Sequence, residues 1–356
     1  MKRGHLLLKR ITELAALTAV SACLLTGCAR TDAKTAYIKG CEALEAGDQE
    51  TAAAQFLAAI DAGYFLPEAY RGKGIAEMSS GNYADAAISL EKSLLYVENQ
   101  GEEFQRDTRL YLAFCRERQG NSGKAMDIYN ELIMKSPDAE TLFLRGRLNL
   151  RLGNVKEARA DFDEAVALGP DYDLYINIYQ VYEDADRSGD GSAYLELALG
   201  EANRNAEDYY EQGLVNYYLQ NYNDAKEMLI RATRKNPDDG RAVFLLGKVY
   251  LATDDIADAR AIYKEYTANE KTAAGAYNGL ALCDIAEGKY DDALKQVEAG
   301  LEYGDEETAQ GLLFNEIVLY EQKKDWPAAK QRAAAYVAKY PSDEAGLREY
   351  EFLSTR

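Results

Sequence analysis

The chain has 356 residues, 47% of them apolar and 28% charged, which is the composition of a folded polypeptide rather than a disordered one. Its net charge of −19 argues against nucleic acid as a partner, because phosphate neutralisation needs clustered Lys and Arg. Proline is scarce, with 6 residues, and β-branched runs are short, so the chain favours helices.

The N-terminus carries a basic start at Lys2, Arg3, Lys9 and Arg10, then an apolar stretch from Leu14 to Leu25. That stretch is too short to span a bilayer, which takes roughly 20 residues, so residues 1–27 read as an export signal. Leu25, Thr26, Gly27 and Cys28 follow one another at its end. This tetrad resembles the lipobox of bacterial lipoproteins. The resemblance implies that Cys28 carries the lipid, begins the mature chain and anchors it outside the cytoplasm on the bacterial cell membrane. Stable anchoring needs two or more acyl chains, each buried CH₂ contributing about 0.8 kcal/mol. Val20 to Cys23 fits the same box loosely, so Cys23 stands as the alternative, as does an unlipidated secretory peptide. The only histidine, His5, lies within the signal, so the mature chain lacks Ser-His-Asp, Cys-His and His-ligated zinc chemistry. Residues 28–33 read as the lipidated cysteine and a short polar tether, reaching roughly 20 Å if extended.

Cys41, Cys115 and Cys283 are odd in number and at least 70 residues apart. They read as small buried apolar residues, not a disulfide framework.

From residue 34 a pattern recurs. A marker position, usually small, falls at Gly40, Gly74, Ala113, Gly146, Ile178, Gly213, Gly247, Ala281 and Ile317. Twelve residues on comes an alanine, at Ala52, Ala86, Ala125, Ala158, Ala225, Ala259 and Ala293. Sixteen on comes a large residue, among them Phe56, Leu90, Tyr129, Phe162, Leu229 and Tyr263. Turn triplets such as Gly81-Asn82-Tyr83 and Gly153-Asn154-Val155 separate two helix-length halves, and Pro137, Pro170, Pro237 and Pro341 close four units. Small residues let two helices approach, and the large one fills the space towards the next unit. Neither helix buries its apolar face alone, so the units must stack.

This pattern resembles the tetratricopeptide repeat. The resemblance implies an all-α fold, a right-handed superhelical solenoid of about nine helix-turn-helix repeats over residues 34–341. Residues 342–356 then read as an amphipathic capping helix with its charged face outward. Two places depart from the pattern. The long step to Ala113 predicts an enlarged loop or extended helix ends over Tyr96 to Phe104. The fifth unit has Ile178 at the marker, and its second helix is expected to start only after Ser192.

Asp186, Ser188, Asp190 and Gly191 occupy the first, third, fifth and sixth places of an EF-hand-like loop. The twelfth place holds Leu197 instead of Glu, so a solvated turn is the favoured reading and no metal is assigned. Paired carboxylates such as Asp291-Asp292 lie near helix starts, where the helix dipole favours them. With no nucleotide loop, dinucleotide fingerprint or CxxC, no catalytic residue, cofactor or enzyme activity is assigned.

The resemblance also implies that first-helix positions three before the marker, and one, four and five after it, face a concave groove. These positions hold Tyr175, Tyr179 and Tyr182 in the fifth unit and Tyr210, Tyr217 and Tyr218 in the sixth, with Arg147, Arg151 and Lys248 in flanking units. Independently of the resemblance, Tyr175, Tyr179 and Tyr182 form one helical stripe by spacing. An aromatic floor with basic walls suits a peptide or glycan. Packing of the superhelix against itself explains the stripe equally well. The functional expectation is a scaffold binding envelope or secreted proteins or peptides through this groove. The alternative is an assembly component of a secretion, pilus or polysaccharide machine that uses the opposite face. The carboxylate clamp of chaperone-binding relatives is absent.

Overall fold

The computed structural model describes residues 28–97, 100–200, 206–268, 270–303, 306–341 and 343–356, which form nineteen α-helices and no strand. The export signal, Cys23 included, lies outside the described residues. The chain divides at Pro170 into two units.

The first unit holds α1 (Cys28–Glu45), α2 (Gln49–Asp61), α3 (Leu66–Ser79), α4 (Tyr83–Leu95), α5 (Glu102–Arg118), α6 (Ser122–Lys135), α7 (Ala139–Arg151) and α8 (Val155–Leu168). The second holds α9 (Tyr172–Asp184), α10 (Ser188–Ala198), α11 (Ala206–Tyr218), α12 (Tyr222–Lys235), α13 (Gly240–Ala252), α14 (Ile256–Tyr266), α15 (Glu270–Ala286), α16 (Tyr290–Leu301), α17 (Glu306–Gln322), α18 (Trp326–Lys339) and α19 (Glu344–Ser354). Residues 28–33 are therefore helical rather than an extended tether, as the start of α1. As helix they span about 9 Å at 1.5 Å per residue, under half the extended reach.

Within each unit consecutive helices pair as antiparallel hairpins and each hairpin packs on the next. The marker explains how. A Cβ on Gly40, Gly74, Gly146 or Gly213 would stand 2.6–2.9 Å from the side chain sixteen residues on, Phe56, Leu90, Phe162 or Leu229. In these four hairpins glycine lets the large residue of the second helix lie flat on the first, and in the third the large Tyr129 is buried beside Ala113. Phe56 is also pressed against Gly72, and Tyr263 against both Gly247 and Gly279, so the large residue is held on one side by its own hairpin and on the other by the next. The alanines twelve residues on are all fully buried, and Ala329 holds that place in the ninth hairpin. Each fully buried large side chain contributes roughly 1.5–3 kcal/mol.

The hairpin turn needs one left-handed residue. It falls seven positions after the marker, at Gly47, Gly81, Gly120, Gly153 and Gly288, with φ of 72–82°. Gln220, Asp254 and Lys324 take the same place at φ 59–63°. In the fifth hairpin the left-handed residue is Asp186, one position later. Its second helix starts at Ser188, one residue late, and not after Ser192. That single added residue accounts for the departure. The alanine place shifts to Gly191, which is buried against Tyr182 and the backbone of Tyr179, and the large place shifts to the fully buried Leu195. Ser188, Asp190 and Gly191 are thus helical, and Asp190 pairs with Arg187 at 2.7 Å. No EF-hand loop forms, and among the described residues no His, Cys, Asp or Glu cluster could hold a metal.

The long step to Ala113 is taken up partly by an extended helix start, since Glu102 to Phe104 belong to the 17-residue α5. In the connection before it, Tyr96 stacks on Tyr70 at 5.8 Å. Cys115 and Cys283 are fully buried, with thiols pushed up by burial to about 12 and about 11, and Cys41 is half-buried. Helix α19 packs on the last hairpin through Gly346 and Leu353, both buried, and Gly346 lies on the ring of Tyr336. Its outer face is not wholly charged, because Leu347 and Phe352 are exposed there.

Candidate functional site

In both units successive first helices touch one another more closely than successive second helices do: α1 meets α3 and α3 meets α5, and likewise α11 meets α13, α13 meets α15 and α15 meets α17. The first helices therefore lie on the inner side of each stack. On α7 the exposed and half-buried positions are Glu140, Phe143, Arg145, Arg147 and Arg151, besides Ala139 at its start. On α13 they include Arg241, Phe244, Lys248, Leu251 and Ala252. The groove-side stripe thus runs through the positions three before the marker and one and five after it. The place four after it is mostly filled by packing side chains, such as Met78, Leu150 and Tyr182, all buried.

The six tyrosines divide accordingly. Tyr175, Tyr179 and Tyr182 do not form an open floor. They are 4%, 7% and 1% exposed. Tyr182 stacks on Tyr194 at 6.1 Å, and Tyr179 is met by Tyr218 at 5.4 Å. The late turn brings Gly191 against both, so the stripe is consumed by packing. Tyr210, Tyr217 and Tyr218 of α11 are half-buried. Tyr217 lies edge-on to Tyr218 at 6.0 Å, and Gln180 Nε2 donates to the Tyr218 hydroxyl at 2.8 Å. The Arg241 guanidinium sits 4.6 Å over Tyr210 while binding both oxygens of Glu207, at 3.0 and 2.7 Å, which ties α13 to α11. Beside them burial, then the charges of Asp173 and Glu207, push the Glu211 carboxyl up to about 8.

Arg147 and Arg151 belong to the first unit and have a partner there. Both reach Glu117 Oε2, at 3.5 and 2.6 Å, and Tyr129 donates to Glu117 Oε1 at 2.6 Å. The Glu117 side chain is 1% exposed. A buried carboxylate demands such partners, so these arginines are required by packing, contrary to a purely ligand-facing reading. Asp161 is held in the same manner by Arg145 and Asn149.

Lys248 is exposed on the groove side of α13. Further along the same stack lie two residues that the aromatic pattern passes over. Asn315 Nδ2 of α17 donates to Asn278 Oδ1 of α15 at 2.6 Å, joining neighbouring first helices. That bond leaves Asn278 Nδ2 and Asn315 Oδ1, a donor and an acceptor, without a partner among the described residues. Gly275 and Gly311 occupy the groove-side place one turn earlier, and a Cβ on Gly311 would still be 3.7 Å from Asn278 Nδ2. The backbone is open at Gly311, whereas Gly275 is covered by the Phe244 ring, which a Cβ there would meet at 2.4 Å. Asn278 lies three before the marker Ala281, so the spacing rule reaches it, whereas Asn315, two before Ile317, is off the rule.

The described residues include no helix long and apolar enough to cross a membrane. Three sequence models of the tetratricopeptide repeat match the chain: one over residues 37–103 and 210–277, a second over 139–172 and a third over 107–139. None is an enzyme family. The irregular fifth hairpin falls almost wholly outside these ranges. No curated protein matches. Among solved structures the chain is similar to a tetratricopeptide repeat protein from Parabacteroides merdae, at 17% identity over 83% of this chain and 98% of that one, with a TM-score of 0.45. It is also similar to yeast Tom70, at 15% identity over 92% and 89% of the two chains, with a TM-score of 0.42. The family models together span more than half of the sequence, and the hairpins carry the spacing in their contacts: the chain belongs to the tetratricopeptide repeat family.

Proposed function

We propose that the protein is a lipid-anchored, extracytoplasmic scaffold that binds extended segments of other envelope or secreted proteins along the first helices of its second unit. Proteins of this family bind other proteins. The observation that carries the groove assignment is the Asn278–Asn315 pair beside Gly311. A free amide donor and a free amide acceptor beside the open backbone of Gly311 suit the alternating N–H and C=O groups of an extended peptide. Lys248, one hairpin away, adds a positive charge for an acidic side chain, and the half-buried Tyr210, Tyr217 and Tyr218 add aromatic edges. The test is a peptide array probed with the full chain. Wild-type protein is expected to select a subset of peptides, and Asn278→Ala with Lys248→Ala to lose at least tenfold in affinity with unchanged helicity. Selection that is identical in the variant would sink the groove assignment.

The anchor rests on Leu25 to Cys28 in the sequence. Cys28→Ser is expected to leave the protein unprocessed or released from the membrane fraction. If that variant stays processed and anchored, Cys23 is the modified residue.

One observation favours the alternative, an assembly component working through its outer face. Leu95, Met134 and Leu168, in the last turns of α4, α6 and α8, are 77%, 84% and 52% exposed. They hold nearly the same place in three successive hairpins of the first unit. Under that reading Leu95→Lys with Met134→Lys abolishes partner capture, while the groove variant leaves it intact.

A further inference from the structure

Charge is unevenly divided between the inner sides of the two stacks. In the first unit the groove-side places, three before the marker and one and five after it, hold Arg71 in α3, Arg118 in α5, and Arg147 and Arg151 in α7, against a single acid, Glu45 in α1. In the second unit the same places hold Lys248 as their one cation. A chain with a net charge of −19 thus gathers arginine on the inner side of its first unit.

Two of these arginines are spent within the fold. Arg71 is buried, 4.0 Å from the centre of the Phe104 ring, and Arg118 lies over the rings of Tyr83 and Phe114, at 5.5 and 5.9 Å. Arg147 and Arg151 differ. They stand one turn apart on one face of α7. Among the described residues their hydrogen bonds run to one atom, Glu117 Oε2, at 3.5 and 2.6 Å. The longer of these is at the limit of hydrogen bonding, and Arg147 Nε is buried with no acceptor. The neighbouring acids are held elsewhere, Glu140 by Arg106 and Asp161 by Arg145. One carboxylate, which also accepts from Tyr129, therefore serves two guanidinium forks. One positive charge and most of the N–H donors are left over, on side chains that are 24% and 48% exposed.

We propose that Arg147 and Arg151 bind a phosphoryl group, carried by a small soluble ligand, on the inner side of the first unit. A phosphate monoester brings close to two negative charges and three acceptor oxygens, enough to engage both forks while Glu117 keeps its own bonds. The forks match phosphate oxygens in pairs. A second carboxylate would only repeat what Glu117 supplies. Phe143, half-buried one turn before Arg147, gives the rest of the ligand an apolar surface. The position on the inner side of the stack, with Arg147 three-quarters covered, admits a slender ligand and not a flat lipid surface. This site lies apart from Asn278 and Asn315 and does not depend on the binding of a peptide there.

The probe is inorganic phosphate, titrated into the full chain by calorimetry at low salt and about pH 7.5, where it is mostly the dianion. Wild type is expected to bind it saturably, more weakly as salt is added. Arg147→Gln and Arg151→Gln should each weaken binding about tenfold. Glu117→Gln removes the competing charge and keeps an amide oxygen for Tyr129, so it should tighten binding. A pair that only supports the fold predicts no such gain. Absence of saturable binding by wild type overturns the site, as does acetate binding as tightly as phosphate, or arginine variants that bind like wild type. Phosphatidic acid vesicles should not compete, and competition by them overturns the soluble source. Circular dichroism checks each variant. If Arg147→Gln loses helicity, Arg151→Gln and Glu117→Gln decide.

Discussion

A single missing methyl group sets the helix spacing in the hairpins whose marker is glycine. Gly146 faces Phe162 so closely that a Cβ would stand 2.6 Å from the ring and 3.1 Å from Asp161 Cβ. The ring is fully buried and has no room to yield. Gly146→Ala is therefore expected to destabilise the first unit by about 1–3 kcal/mol, read by thermal or urea unfolding. Gly153→Ala differs, because nothing lies within 4 Å and only the left-handed backbone at φ 82° resists. It should cost about 1 kcal/mol. Glu211 gives a pH signature in the second unit. Its carboxyl is pushed up to about 8, so the folded chain keeps a proton that the unfolded chain gives up at the usual carboxylate pKa. Stability falls as pH rises through that interval, by at most about 1.4 kcal/mol per unit. Glu211→Gln should flatten this slope and raise stability at pH 8. An unchanged slope in the variant would contradict the assignment.

At the scale of helices, the hairpin units and their buried contacts were legible in the sequence. A small residue, an alanine twelve on and a large residue sixteen on encode a contact between two helices of one hairpin, and local spacing specifies that contact. The groove was less legible. Tyr175, Tyr179 and Tyr182 share a face by arithmetic, but spacing does not say what covers a face, and here Tyr218 and α10 cover it. Arg147 and Arg151 looked free because Glu117, their partner, lies thirty or more residues away in the preceding hairpin. The fifth hairpin misled for a third reason. Ser188-Gly189-Asp190-Gly191 has the composition of a loop, yet Gly191 is there to admit α10 against Tyr179 and Tyr182. Gly191→Ala places a methyl 2.9 Å from Tyr182 Cβ and 3.1 Å from the Tyr179 backbone, so it should loosen α10 alone. Faster amide exchange confined to residues 188–198 and the neighbouring tyrosines is the expected outcome.

For the whole molecule the question is which surface recognises the partner. The inner face of the second unit offers open backbone at Gly311, two unpaired amide groups and an exposed lysine. The second helices of the first unit offer a row of exposed apolar side chains. These differ in chemistry and in position along the chain, so one footprint separates them. The most direct measurement is hydrogen exchange of the full chain with and without a peptide selected on the array. The groove account predicts protection concentrated in α13, α15 and α17, centred on Lys248, Asn278 and Asn315, with no change in α4, α6 or α8. Protection of α4, α6 and α8 with α13, α15 and α17 unchanged would contradict it.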